Sequence, residues 1–242
     1  MSTESRPAFY ALASGGWRDY VTLLHLPYTA WHLSYVAIGA GLAPHFSWTR
    51  AGAALLAFAL ALGVGAHALD ERRGRPLQTR IPDATLVALA AVSITAAVAL
   101  GVYASIAWTA ALVPFVALGA FIVVAYNLEL FGGLFHNGFW FALAWGALPA
   151  LSGYVAETGT VRGEAIAAAL YATLLSAAQR VLSTPVRETR RRVATVEGAI
   201  ELRDGTRTPV TRETLMGTQE TALRLLAAAT VALAVALLAV HL

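Results

Sequence analysis

Apolar residues run along this chain in blocks of about twenty, separated by short polar stretches. A block of that length crosses a ~30 Å hydrocarbon layer as a helix, and a helix satisfies its own backbone groups where water is absent. Seven spans are predicted, over residues 21–44, 50–69, 83–102, 106–126, 137–155, 164–184 and 217–241. The expected fold is all-α: a polytopic transmembrane helical bundle of about seven spans. Residues 1–20 read as a cytoplasmic N-terminal segment. Residues 21–242 read as one transmembrane domain with cytoplasmic loops at 70–82 and 185–216. Pro27, Pro114 and Pro149 fall inside spans. Each removes a backbone donor and is expected to kink its helix.

Composition agrees with the pattern. The chain is 58% hydrophobic and 13% charged, against ~45–50% and ~25% in a soluble domain, and its mean hydropathy is +0.64. These values exclude a disordered chain and a soluble nucleic-acid binder. The absence of Cys excludes a disulfide framework and thiolate chemistry. All 17 basic residues are Arg, which excludes a Schiff-base lysine and fits a GC-rich genome. The first twenty residues lack the compact apolar region and small-residue cleavage site of a signal peptide, so insertion is expected to rest on the first span.

Charge orients the bundle. Arg72, Arg73, Arg75 and Arg80 follow the second span, and Arg187, Arg190, Arg191, Arg192, Arg203, Arg207 and Arg212 follow the sixth. An even number of crossings separates the two groups, so they share one side, and Arg excess marks it as cytoplasmic. The N-terminus is then inside and the C-terminus outside, in what is expected to be a prokaryotic cytoplasmic membrane. The polar stretch 185–216 alternates Glu and Arg. It reads as a solvated helix or hairpin, or as a surface for anionic headgroups or a pyrophosphate, where each Arg gains roughly 1 kcal/mol near an anionic leaflet.

Polar groups at membrane depth are costly and mark candidate sites. His25 lies in the first turns of span one, and His67, Asp70 and Glu71 at the end of span two. Tyr126, Asn127 and Glu129 close span four, His136 and Asn137 open span five, and Gln179 and Arg180 lie late in span six. On the topology above they share one depth, which predicts a polar pocket facing the cytoplasm beneath an apolar chamber. His32 sits about two turns deeper than His25. For any one of these residues, proximity to interfacial water is the competing explanation. His67 and Asp70, three apart, can share a helix face. His45 and His241, toward the outer side, read as incidental. Trp31, Trp108, Trp140 and Trp145 read as anchors or packing.

Three stretches carry a more specific pattern: GVGAHALDERRGRPLQTRIPD at 63–83, YNLELFGGLFHNGFWFALAWGALPALSGY at 126–154 and SAAQRVLSTPVRETRRR at 176–192. In order and topology they resemble the UbiA superfamily of intramembrane prenyltransferases. The family's Asn-Asp-x-x-Asp-x-x-x-Asp motif has His67 here in the Asn place, Asp70 or Glu71 at the next acid, and Gly74 or Arg75 at the last. Arg80, Ile81 and Pro82 echo the run that follows it. Gly146, Pro149 and Gly153 match a Gly-x-x-Pro-x-x-x-Gly helix. Gln179, Ser183 and Arg187 stand where the second acidic motif has its acids. The likeness covers most of residues 20–192, and the family usually has nine spans.

The resemblance implies an apolar tunnel for an isoprenoid chain and Mg²⁺ held by carboxylates against the diphosphate of a polyprenyl donor. On this chain a single, weak Mg²⁺ site would fall to Asp70 and Glu71, with Arg cations replacing a second metal. Catalysis would fall to His67, Asp70, Glu71 and His25, with either His as general base. Arg75, Arg80, Tyr126, Asn127, His136, Gln179, Arg180 and Arg187 would bind the substrate. Two alternatives stand beside this enzyme. One is a non-catalytic relative holding a quinone, carotenoid-like or other isoprenoid lipid. The other is a metal or haem protein using His25, His32, His67 or His136, ranked last because no His pair is clearly placed across two helices. No nucleotide-binding glycine pattern, His-Glu-x-x-His helix or Ser nucleophile elbow is present. The expected partner is a membrane lipid or isoprenoid substrate and not a nucleic acid. Donor length, acceptor and oligomeric state are not set by the sequence.

Overall fold

The structure is a computed structural model and describes residues 6–242. Helix α1 covers Trp17–Leu23 and α2 covers Leu26–Gly41. Six further helices are long and apolar enough to cross a membrane: α3 (Trp48–Arg72), α4 (Asp83–Ala107), α5 (Ala110–Asn127), α6 (Gly138–Thr158), α7 (Gly163–Arg192) and α8 (Arg212–Ala239). Between α7 and α8, strands β1 (Ala199–Glu201) and β2 (Arg207–Pro209) form an antiparallel hairpin with Ile200 opposite Thr208. The chain is an integral membrane protein built as a helical bundle.

The first expected span, 21–44, is not among the six. It breaks at Leu24–His25, where His25 takes φ 46°, ψ 45°. A left-handed conformation in a residue other than Gly is strained by about 1–3 kcal/mol. It is held here because the amides of Tyr28 and Thr29 donate to the His25 carbonyl at 2.8 and 3.0 Å. The 16 residues of α2 reach only ~24 Å at 1.5 Å per residue. Yet α2 is the axis of the bundle. Trp31, Tyr35, Val36 and Ala40 have no exposure, and the helix packs chiefly on α6 and α8. One core joins Trp31, Tyr35 and Ile38 to Ala150, Ala172 and Leu223. A second joins Leu62, Ile122, Tyr126, Trp145 and Leu148 across α3, α5 and α6.

The prolines behave differently from expectation. Pro27 sits in the first turn of α2. Pro114 follows the 3₁₀ turn Ala110–Leu112 that opens α5. An amide has no intrahelical acceptor in a first turn, so neither residue bends a helix midway. Pro149 follows a wide π turn over Leu143–Ala147, which absorbs the missing bond within α6. A second π turn, Ala59–Ala66, lies in α3 immediately before His67.

Where α2 crosses α6, glycines allow backbone to meet backbone. A Cβ on Gly153 would lie 2.2 Å from the Val36 carbonyl oxygen, and one on Gly39 would lie 1.9 Å from that of Ala150. Small residues let helices approach this closely without solvent to drive them together. Gly153→Val should therefore destabilise the bundle by about 1–3 kcal/mol, the usual penalty of overpacking. Thermal unfolding in detergent checks this, and an unchanged midpoint would show that the two helices can separate freely.

Candidate functional site

The polar residues expected at one depth do meet. A cavity of about 340 Å³ is lined by His25, His32, His67, Asp70, Tyr126, Asn127, His136, Gln179, Arg180 and Arg187. They come from α2, α3, α5, the 128–137 connection and α7. Sequence reasoning missed further cavity residues, among them Tyr10, Tyr28, Arg190, Arg191 and Glu220. The signal for Arg191 was present. Gln179, Ser183, Arg187 and Arg191 recur every fourth residue, which aligns them on one face of α7. Tyr10 carried no such signal, because it precedes the first helix.

Several cavity side chains are held by neighbours. Arg180 donates to the Tyr126 hydroxyl at 2.6 Å, and its guanidinium lies 5.5 Å from the Phe141 ring centre. Asn127 donates to the Val123 carbonyl. Arg190 grips Glu220 with two bonds, 2.5 and 2.8 Å. Asp70 has no ion pair within 4.0 Å among the described residues, and neither do Arg180, Arg187 and Arg191. With the Arg190–Glu220 pair neutral as a unit, the cavity holds three unmatched guanidinium groups against one carboxylate.

The chain before α1 closes one side. Residues 7–10 line the cavity. Phe9 lies under the Arg224 guanidinium, 4.6 Å from its ring centre, and Tyr10 bonds the Nδ1 of His25 at 2.8 Å. Burial holds the Tyr10 phenol above its ordinary range, so its hydroxyl keeps its proton. The His25 ring stacks on that of His67 at 4.0 Å, 15° from parallel. A His pair thus does form between α2 and α3, contrary to expectation. Lone pairs in nearly parallel, stacked ring planes do not converge on one ion.

Three residues assigned to the site lie elsewhere. Glu71 is fully buried and turned toward the 73–82 loop. It accepts from the amides of Leu77 and Thr79, both at 2.8 Å, and from the Thr79 hydroxyl at 2.9 Å. Its neighbour Asp70 faces the cavity because adjacent helical residues point about 100° apart. Arg75 pairs with Asp83 and donates to the Ile81 carbonyl, which shapes the same loop. Arg80 is exposed, and its amide donates to Asp19 at 2.8 Å. None of these three residues lines the cavity, and the Glu71 carboxylate is taken up by the 73–82 loop.

That placement bears on the Mg²⁺ expectation. The cavity offers Asp70 alone, since Arg190 holds Glu220. Among the described residues no three His, Asp or Glu side chains are grouped to hold a metal ion. Of the two carboxylates expected to share a single Mg²⁺, only Asp70 faces the cavity.

An apolar groove adjoins the polar cavity. It is lined by Phe58, Leu62, Trp108, Phe115, Val116 and Leu148, among others from α3 to α6, and it shares Trp145 with the polar cavity. The two together make an amphipathic site: guanidinium groups and imidazoles on one side of Trp145, alkyl and aromatic surface on the other. No family model matches the chain, and no curated protein or solved structure matches it.

Proposed function

We propose that this chain is a UbiA-like membrane protein that binds an isoprenoid diphosphate and transfers its chain. The diphosphate lies in the polar cavity, and the chain runs past Trp145 into the apolar groove. The observation that carries this reading is the charge imbalance of the cavity. Arg180, Arg187 and Arg191 lack carboxylate partners and face one carboxylate, Asp70. A cavity lined by charge of one sign attracts a ligand of the other, and guanidinium forks match phosphate oxygens.

In the reaction the bond between the allylic carbon and the diphosphate oxygen breaks, and pyrophosphate leaves with the electron pair toward the three Arg. Asp70 stabilises the positive charge that develops on carbon. An electron pair of the acceptor closes the new bond to the allylic carbon, and His67, which gives its Nδ1–H to the Gly63 carbonyl at 3.2 Å, has Nε2 free to take the proton that the acceptor loses.

Purified protein in lipid nanodiscs, given farnesyl diphosphate, should bind it and release pyrophosphate. Asp70→Asn should abolish the release and retain the binding. Failure of farnesyl diphosphate to bind would end this reading. Binding without release, together with an uncharged isoprenoid that copurifies and survives Asp70→Asn, would make the chain a lipid holder. That second reading is favoured by the missing carboxylates at Gln179, Ser183 and Arg187.

We further place the N-terminus and the loops 70–82 and 185–216 on the cytoplasmic side, as the Arg distribution requires. A Cys introduced at Thr195, in a chain with no native Cys, should be labelled from the cytoplasmic face only. Labelling from the outer face alone would reverse the orientation.

A further inference from the structure

Three of the four imidazoles of the cavity are wired alike, whereas His25 takes the Tyr10 hydroxyl at its Nδ1. Nδ1 of His32 bonds the Trp145 carbonyl at 2.9 Å, Nδ1 of His67 bonds Gly63 at 3.2 Å, and Nδ1 of His136 bonds Tyr126 at 2.9 Å. A carbonyl only accepts, so each Nδ1 carries the hydrogen. In each neutral ring Nε2 is then a bare acceptor. None of the three Nε2 atoms has a protein partner among the described residues. Gln179, 4% exposed, lines the same cavity, and its buried Oε1 has no donor. Asp70 adds carboxylate oxygens. This part of the site is a cluster of acceptors, whereas the Arg side is all donors.

The Gln179 Oε1 is wholly buried without a donor, which is rare and calls for a partner, and the three Nε2 atoms open onto the cavity, where a ligand with hydrogens to give meets them. A quinone carbonyl or a fully ionised diphosphate has no hydrogen to give them. A phenol has one. An ammonium group could serve several, but three unmatched guanidinium groups repel it. Hydroxyl groups, several on one small molecule, meet both conditions. We infer that the His32–His67–His136–Gln179 cluster is a subsite for a polyol or sugar phosphate: the hydroxyls donate to the imidazoles and the amide, and the phosphate faces the arginines. The inference rests on the anion-binding reading of the same cavity.

Calorimetry on the full chain in nanodiscs tests it with four soluble probes: inorganic pyrophosphate, ribose 5-phosphate, glycerol 3-phosphate and n-propyl phosphate, which lacks hydroxyls. The polyol phosphates should bind at least about tenfold tighter than n-propyl phosphate, the ratio set by about 1.4 kcal/mol for acceptors left without donors. Gln179→Leu should narrow that ratio, and Gln179→Glu, which keeps an acceptor, should restore it. If the head is lipid-borne, the preference should appear as retention of phosphatidylglycerol over phosphatidic acid, read by native mass spectrometry. If pyrophosphate binds but neither the soluble nor the lipid-borne pair is discriminated, the polyol subsite is overturned and the anion site stands. If pyrophosphate and all the phosphates fail to bind, both readings fall. The ligand series on the unaltered protein decides the matter even if the variants do not fold.

Discussion

Arg187→Ala combined with Arg191→Ala should weaken inorganic pyrophosphate binding at least about a hundredfold. A hydrogen bond to a charged group contributes about 1.5–3 kcal/mol. Arg187 is exposed and Arg191 half-buried, so the lower end applies to each, and two losses of about 1.4 kcal/mol multiply to that factor. Arg187→Lys should fall in between, because an ammonium keeps the charge and loses the two-pronged fork. The affinity should also drop as salt rises, since a charge near solvent is screened. Calorimetry in nanodiscs at two ionic strengths measures both effects. An unaltered affinity in the double variant would show that α7 does not hold the anion.

Glu71→Ala should destabilise the chain by about 3 kcal/mol or more. The substitution strands three buried donors, and each unmet buried donor costs about 1–3 kcal/mol. The effect should reach beyond the loop. Leu77, whose amide bonds Glu71, packs with Ala8 and Ala11. Asp19 holds the amides of Gly15 and Arg80 at 2.8 Å each. Glu71 and Asp19 therefore pin the 73–82 loop beneath the segment that closes the cavity. Thermal unfolding, paired with limited proteolysis of the loop, should separate Glu71→Ala from Asp70→Asn. The latter removes a charge from the cavity but no loop contact. Equal stability of the two variants would contradict the division of labour between these neighbours.

That division shows where sequence reasoning reaches and where it stops. Asp70 and Glu71 are adjacent acids at a helix end and looked alike. Only the fold reveals that one faces a cavity and the other fills a loop. The shared depth of His25, His67, Tyr126, His136 and Gln179 was legible, because span lengths and Arg-rich ends set depth along a membrane helix. The break at His25 was not legible. A left-handed residue between two apolar helices is imposed by neighbours such as Tyr10 and His67, and those neighbours come from distant parts of the chain.

By itself the sequence determined the class of the molecule: apolar blocks without water-satisfied backbone must be helices, and their Arg-rich ends indicate which polar residues lie near one end, whereas the number of long helices, seven expected and six found, was not set by it. Tertiary packing alone decided the site. Gly39 and Gly153 bring α2 against α6 closely enough for the His32 ring to reach the Trp145 carbonyl. The rotation of α7 turns Gln179, Arg187 and Arg191 to the cavity. Hydropathy reports how deep a residue lies, but the direction of its side chain depends on helix rotation, which only the packing of small residues against neighbouring backbones can set.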